Sequence, residues 1–242
     1  MHFAKPHIVL YQEISVKNTI GVVGDKKVLL LLSGGIDSAV CLSMLQRQGL
    51  EVTTLSFRQE SRLNNMPEVL CARAIASRFG TRHIEVDLTS VDELIKHAPN
   101  VRLSLGGQIN NCPGITTLGA PMSVSIMLSM AFMHACTAGI EKIAWALHAD
   151  DLQNEFHHRK VLRLIALHQD LAELQAQTRP VVILPLAVYT KEQIVGMALE
   201  YGIKVAETFS CSDPLDGQAC GKCDQCRARE AAIFPSENRQ SA

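Results

Sequence analysis

The chain has 242 residues, of which 47% are hydrophobic and 19% are charged, with a formal net charge of −1. These values are typical of one globular α/β domain, or of a domain with a small appendage, and they exclude a general electrostatic attraction to nucleic acid or to an anionic membrane surface. No apolar run reaches membrane-spanning length, and the first residues lack a signal-peptide pattern, so we expect a cytoplasmic protein without membrane contact.

The chain opens with a segment that stands apart from the main pattern. We assign residues 1–26 to an N-terminal extension, in which the apolar runs 8–11 and 19–23 predict two short strands of a hairpin. The main domain is expected to begin at residue 27.

The first strand of that domain leads into a glycine turn. The strand is predicted over 27–32 with an apolar run at 28–32, positions 33–38 read Ser-Gly-Gly-Ile-Asp-Ser, and helical spacing follows to about residue 48. The first N–H groups of a helix have no intrahelical acceptor and its dipole favours an anion there, so this order predicts a phosphate-binding loop rather than a plain tight turn. Ser33 and Ser38 add hydroxyl donors, while Asp37 suits a divalent metal or a role in fixing the loop.

The rest of the chain alternates strands and helices. The apolar patterns predict strands at 51–57, 83–88, 142–147 and 181–184, and helices at 68–79, 122–138, 154–176 and 194–201. This alternation predicts an α/β, Rossmann-like parallel sheet of about five strands with helices on both faces. Thr190 and Gln193 form a capping box, and the Gly-, Asn- and Pro-rich segment 99–120 is too long for a simple connector.

Polar residues follow the strand at 142–147. His148, Asp150 and Asp151 stand at its carboxyl end, which is where open parallel sheets bind ligands. We therefore expect these three residues near a substrate.

Four cysteines cluster near the end of the chain. Cys211, Cys220, Cys223 and Cys226 lie within sixteen residues and supply four thiolates, which match the tetrahedral preference of a structural zinc site. An iron–sulfur cluster is the main alternative, and four unligated thiols are a weaker one. Zinc is favoured because the segment is polar and has no proline after the last cysteine.

Three motifs together resemble one enzyme family. They are the hexapeptide 33–38, the run Pro-Leu-Ala-Val-Tyr-Thr-Lys-Glu-Gln-Ile at 185–194, and the cysteine segment with its following Arg-Ala-Arg at 227–229. In order and spacing they are similar to the 7-cyano-7-deazaguanine synthases of queuosine biosynthesis, within the ATP-pyrophosphatase group. The resemblance implies the adenine nucleotide α-hydrolase type of fold over 27–205, a zinc-binding knuckle over 206–234 and a tail over 235–242.

The same resemblance implies an activity and a set of site residues. Such enzymes adenylate 7-carboxy-7-deazaguanine with ATP, release pyrophosphate, form the amide with ammonia and dehydrate it to the nitrile in a second activation. Cofactors would be ATP, Mg²⁺ and Zn²⁺, and a homodimer is implied. The residues expected to act in catalysis are Ser33, Asp37, Lys191, Arg227 and Arg229. Those expected to bind ATP are Leu32, Ser33, Gly34, Gly35, Asp37, Ser38 and Phe57. Those expected to bind the substrate are Gln59, Pro121, Ser123, His148, Asp150 and Asp151.

The chain departs from the family pattern in the substrate pocket. Where the family has Pro-x-Arg-Asn, positions 121–124 read Pro-Met-Ser-Val, and the family's Tyr-Pro-Asp-Cys-Arg is missing from 150–159. A polar pocket group that hydrogen-bonds a substrate gives large discrimination, so its loss indicates another substrate or acceptor. The alternative function is a divergent paralogue that passes an activated deazapurine acid to another amine, such as that of a protein partner, in an antiviral defence context.

Two further functions remain open at this stage. A tRNA-modifying enzyme with the same loop would need a tRNA-binding surface, which the net charge of −1 does not favour. A catalytically inactive nucleotide-binding module would not need Asp37 together with both serines of the loop.

Overall fold

A computed structural model describes residues 26–58, 66–90, 101–103, 116–118, 120–153, 155–175, 178–211 and 214–237. Its strands are β1 (Lys27–Leu31), β2 (Glu51–Arg58), β3 (Arg82–Asp87), β4 (Val101–Leu103), β5 (Thr116–Leu118), β6 (Lys142–Ala144) and β7 (Val181–Ile183). Its helices are α1 (Ile36–Arg47), α2 (Met66–Arg78), α3 (Ala120–Ala138), α4 (Ala149–Leu152), α5 (Glu155–Gln175), α6 (Lys191–Glu200) and α7 (Asp224–Glu237), with a 3₁₀ turn at Val205–Glu207. The predicted hairpin at 8–23 lies outside the described residues.

Five parallel strands form the main sheet in the order β3-β2-β1-β6-β7. Strand β1 lies at the centre of the sheet, and its residues 28–31 are buried because their side chains alternate between two separate cores. Val28 and Leu30 pack with α1, α2, α6 and α7, whereas Leu29 and Leu31 pack with α3 and α5. The predicted α/β fold, with helices on both faces of a five-stranded parallel sheet, is therefore confirmed.

Several boundaries differ from the sequence prediction. The strand expected over 142–147 pairs only over Lys142–Ala144, and just beyond it the N–H of Trp145 makes one more hydrogen bond, to the carbonyl oxygen of Ile183 at the end of β7. The segment 99–120 contains β4 and β5, which pair in parallel as a second, two-stranded sheet. Helix α7 was not predicted, and it continues through Glu237, past the residue at which the zinc-binding segment was expected to end.

None of the helices within the described ranges is long and apolar enough to cross a membrane.

Candidate active site and metal centre

The predicted phosphate loop lies at the point where the strand order of the main sheet reverses. From β1 the chain proceeds outward to β2 and β3 on one side, while β6 and β7 extend the sheet on the other. Two connections therefore leave the carboxyl ends of β1 and β6 in opposite directions and open a crevice, which is the usual ligand site of such sheets. The hexapeptide follows β1, and His148 follows β6, so both predicted groups flank this crevice.

Gly34 allows the loop to pass directly over α2. Its φ is +88°, and a Cβ at this position would lie 2.1 Å from the carbonyl oxygen of Glu68 and 3.0 Å from the amide nitrogen of Ala72. No side chain fits there, since the obstructing atoms belong to the backbone of a helix. The glycine is therefore required by close approach as well as by its backbone conformation.

The two serines of the hexapeptide fix its shape. The Ser38 hydroxyl donates to the carbonyl oxygen of Gly35 at 2.9 Å, and the two serine hydroxyls lie 3.2 Å apart. The N–H of Gly35 donates to the Ser33 hydroxyl at 3.3 Å. Gly35 is the N-cap residue of α1 and has no side chain to cap the first helical N–H groups, so these donors can serve an anion.

Asp37 and Lys191 form an ion pair across the crevice. The Nζ of Lys191 donates to both carboxylate oxygens of Asp37 at 2.6 and 2.7 Å, and the side chains are only 15% and 24% exposed. The predicted capping box of Thr190 and Gln193 is present, and α6 starts at Lys191, three residues earlier than the sequence predicted. The backbone N–H of Lys191 also donates to Asp150 at 2.7 Å, which ties α6 to the turn after β6.

His148 and its two aspartates complete this side of the crevice. The His148 Nε2 lies 3.3 Å from a carboxylate oxygen of Asp151, whose side chain also accepts the His148 backbone N–H at 3.2 Å. Burial raises the pKa of Asp151, with a further increase from Asp37, while His148 and Lys191 act in the opposite direction. The His148 Nδ1 is buried without a hydrogen-bond partner among the described residues, and it lies 3.7 Å from Asp150.

The four cysteines converge as the sequence predicted. Their sulfur atoms all lie within 4.8 Å of one another, and the Cys211 and Cys223 sulfurs are 3.9 Å apart. Tetrahedral zinc with Zn–S bonds of about 2.3 Å places sulfurs about 3.8 Å apart, so this separation fits zinc. Backbone N–H groups point at three of the sulfurs: those of Cys220 at Cys211 (3.3 Å), of Cys223 at Cys220 (3.4 Å) and of Cys226 at Cys223 (3.4 Å).

This cysteine cluster is attached directly to the phosphate loop. The N–H of Phe209 donates to the carbonyl oxygen of Gly34 at 2.9 Å. The carboxyl group of Glu68 accepts the backbone N–H of Cys211; burial raises the pKa of Glu68 to about 8, and this hydrogen bond partly opposes the increase. The metal centre and the loop therefore belong to one continuous structure.

The two arginines that follow the cysteines occupy different surroundings. Arg229 is half-buried and donates to the backbone carbonyls of Val205 and Thr208, the latter at 2.9 Å, and burial lowers its pKa. Arg227 is 67% exposed and pairs with Asp224 one turn earlier on α7. Both guanidinium groups thus have intramolecular partners in this structure, and their roles toward a ligand stay predictions.

The remaining predicted site residues are divided between the core and the undescribed part of the chain. Leu32 and Phe57 are buried, Leu32 beneath the loop on the α1 side and Phe57 against the core of α3 and α5. Gln59 lies outside the described residues, and for Pro121 and Ser123 the backbone alone is described, at the start of α3. The sequence prediction missed the roles of Glu68 and Phe209, because neither a glutamate in the first turn of a helix nor a backbone N–H carries a signal for its distant partner.

Comparison with known proteins identifies the family. The model of the family described as "Queuosine biosynthesis protein QueC" matches residues 27–236, which is most of the chain. The chain belongs to the QueC family. A 7-cyano-7-deazaguanine synthase from Novosphingobium aromaticivorans is 33% identical over 216 residues, covering 85% of this chain and 88% of the relative. One from Cupriavidus necator is 32% identical over 230 residues, covering 90% and 98%.

A solved structure shows the same fold at lower identity. The U34-tRNA thiolase NcsA from Methanococcus maripaludis, determined with its [4Fe-4S] cluster, has a TM-score of 0.54 and 16% identity, covering 91% of this chain and 68% of the thiolase. At that identity the likeness concerns the fold alone. Membership of the QueC family makes the protein an enzyme of the ATP-dependent ligase type, and its four cysteines form a cluster that could bind zinc.

Proposed function

We propose that the enzyme adenylates a carboxylate with ATP and then forms a C–N bond, with 7-carboxy-7-deazaguanine as the acid and ammonia as the amine. The observation that carries this proposal is the switch-point crevice, in which Asp37 of the Ser33–Ser38 loop pairs with Lys191 at the start of α6. The relatives are 7-cyano-7-deazaguanine synthases, which supports the choice of substrate.

The proposed chemistry proceeds by two displacements. A carboxylate oxygen of the substrate attacks the α-phosphorus of ATP, the α–β bridging bond breaks, and pyrophosphate leaves. The amine then attacks the acyl carbon, AMP leaves with the bonding electrons, and the nitrogen loses a proton to give the amide. In a second activation the amide oxygen would attack the α-phosphorus of another ATP and release pyrophosphate; AMP would then leave with that oxygen while the nitrogen loses two protons, which gives the nitrile.

The residues of the loop and of α6 have distinct tasks in this scheme. Free N–H groups at the start of α1 and the Ser33 hydroxyl would hold the departing pyrophosphate, because its negative charges need donors in a closed site. Lys191 would share its ammonium group between Asp37 and the phosphates. The Asp37 carboxylate is the hard oxygen ligand that Mg²⁺ prefers, and the ion would neutralise phosphate charge there. The four cysteines leave no open position on a tetrahedral metal, so zinc would be structural.

A second candidate keeps the activation and changes the acceptor. It is favoured by the pocket sequence, because positions 121–124 read Pro-Met-Ser-Val and lack the Arg-Asn pair of the family pattern. In this version the activated deazapurine acid is transferred to another amine, such as one on a protein partner. Cytoplasmic location and a homodimer stay predictions for both candidates.

One experiment tests both candidates. Purified enzyme is incubated with Mg²⁺-ATP, 7-carboxy-7-deazaguanine and ammonia, with pyrophosphate measured by a coupled assay and the organic product by mass spectrometry. The first candidate expects pyrophosphate, AMP and nitrile; the second expects pyrophosphate and AMP without nitrile; and absence of pyrophosphate contradicts both. The Ser33→Ala variant should lose pyrophosphate release, whereas Ser43→Ala, which removes a buried hydroxyl elsewhere on α1, should retain it.

A further inference from the structure

Phe209 is the first of two links between the cysteine cluster and the phosphate loop. Its N–H donates to the carbonyl oxygen of Gly34 at 2.9 Å, and its own carbonyl oxygen lies 3.5 Å from where a Cβ on Gly35 would be. It stands two residues before Cys211 and packs against the cysteines. Any shift of Cys211 is therefore transmitted to Gly34 through two residues of backbone.

Glu68 is the second link, and it touches both partners at once. Its backbone carbonyl lies under Gly34, so close that no Cβ fits between them, and its side-chain carboxyl accepts the N–H of Cys211. The sulfur of that same cysteine accepts the N–H of Cys220 at 3.3 Å and lies 3.9 Å from the sulfur of Cys223. One residue of α2 therefore supports the loop from below and holds the first cysteine of the metal set.

Helix α7 holds the intervening segment from the other side. Arg229 donates to the carbonyls of Val205 and Thr208, and Ala232 is buried in the same core as β1 and α1. The segment 205–211 is thus fixed at one end by α7 and at the other by Glu68 and the sulfurs.

We propose that Glu68 is a positioning residue that couples the four-cysteine metal centre to the ATP-binding loop, so that metal occupancy sets the position of Gly34 and Gly35. With a metal bound, the four sulfurs keep a fixed separation and Cys211 is held in place for its hydrogen bond to Glu68. Without the metal or without the Glu68 acceptor, Cys211 is released, and the Phe209–Gly34 hydrogen bond loses its support. The ATP-affinity readout rests on the proposed function, whereas the coupling itself does not.

The test compares local hydrogen exchange in the full-length, zinc-loaded protein with three substitutions. Glu68→Ala removes the acceptor, Glu68→Gln keeps a side-chain oxygen that can accept the Cys211 N–H, and Glu230→Ala truncates an exposed glutamate on α7 as a matched control. We expect Glu68→Ala to retain its zinc while amide exchange in 33–38 and 205–211 rises about tenfold or more, the scale set by the loss of one buried hydrogen bond. Exchange in 161–175, which lies on the other face of the sheet, should not change.

Two further measurements complete the test. Extraction of zinc with a chelator should raise amide exchange in the same two segments. The Kd for Mg²⁺-ATP should rise about tenfold both in Glu68→Ala and in the zinc-extracted protein. In Glu68→Gln and Glu230→Ala this Kd should stay within about twofold of that of the unsubstituted protein. The coupling is overturned if amide exchange in 33–38 stays unchanged in Glu68→Ala or after zinc extraction. It is also overturned if amide exchange rises uniformly across the chain. If Glu68→Ala does not fold, the zinc-extraction result decides. A protein that binds no ATP refutes the proposed function, while the exchange result still decides the coupling.

Discussion

Replacement of Gly34 by alanine separates the effect of backbone conformation from that of close approach. Gly34 and Gly49 both have positive φ, at +88° and +76°, so an L-residue at either site is strained by about 1–2 kcal/mol. A Cβ at Gly49 meets nothing within 4 Å, whereas one at Gly34 lies 2.1 Å from the Glu68 carbonyl oxygen. Because that oxygen belongs to the first turn of α2 and cannot rotate away, relief of the contact requires movement of the helix or loop, at a further cost of about 3 kcal/mol.

The two variants should therefore unfold at clearly different temperatures. Thermal unfolding followed by circular dichroism should place Gly34→Ala about 6–12 °C below Gly49→Ala, since about 1 kcal/mol corresponds to about 2–4 °C in a chain of this size. Gly34→Ala should also lose ATP binding, because the displaced loop no longer presents its N–H groups, whereas Gly49→Ala should bind ATP normally. Equal melting temperatures for the two variants would refute the inference that the loop is packed against the Glu68 backbone.

Three further predictions follow from contacts near the crevice and in the metal centre. Lys191→Met and Asp37→Asn should each lower the free energy of unfolding in urea by about 2 kcal/mol, a value between those of exposed and of fully buried ion pairs. The loss in the double variant should be smaller than the sum of the two single losses by at least about 1 kcal/mol. Additive losses would contradict the pairing. Thr190→Ala should lower the same free energy by about 1 kcal/mol through loss of the α6 cap, and an unchanged value would show that the cap is dispensable. Cys223→Ser should lose bound zinc, as measured by inductively coupled plasma mass spectrometry, whereas Cys136→Ser should keep it; iron in place of zinc in the original protein would contradict the assignment of the metal.

The local elements were predictable because their signals are local. Apolar strand runs, the glycine turn at 33–38 and the Thr190 capping box each determine structure within a few residues, and the described part of the chain contains the turn, the capping box and a strand within each apolar run predicted for the main domain. The end of β6 was not predictable in this way, since it depends on pairing with β1 and β7, which are distant in sequence. Helix α7 was not predicted, because the residues after Cys223 are mainly polar or alanine and show no clear apolar face.

Contacts between distant parts of the chain had no such signal. The sequence indicated that Lys191 should carry charge to the site, but its pairing with Asp37 joins residues 154 positions apart. Likewise, nothing near Phe209 indicates that its N–H bonds to Gly34, because any non-proline residue could make a backbone hydrogen bond there. The loop and the four cysteines could be assigned from type and spacing, whereas the structure was needed to join them through Glu68.

The two-sided core explains how the activating half of the site could be kept while the acceptor half changed. The loop, α6 and the cysteine segment all rest on the core formed by α1, α2, α6 and α7. Helix α3, whose first turn carries the departure from the family pattern at 121–124, packs on the opposite face of the sheet, whereas the departure at 150–159 begins in α4, where Asp150 contacts Lys191. Since β1 separates the two cores, side-chain changes at the start of α3 need not disturb the packing beneath Gly34. A change of acceptor made through 121–124 therefore requires no change in the activating machinery, which is the arrangement expected if this enzyme uses the activation chemistry of its relatives on a different amine.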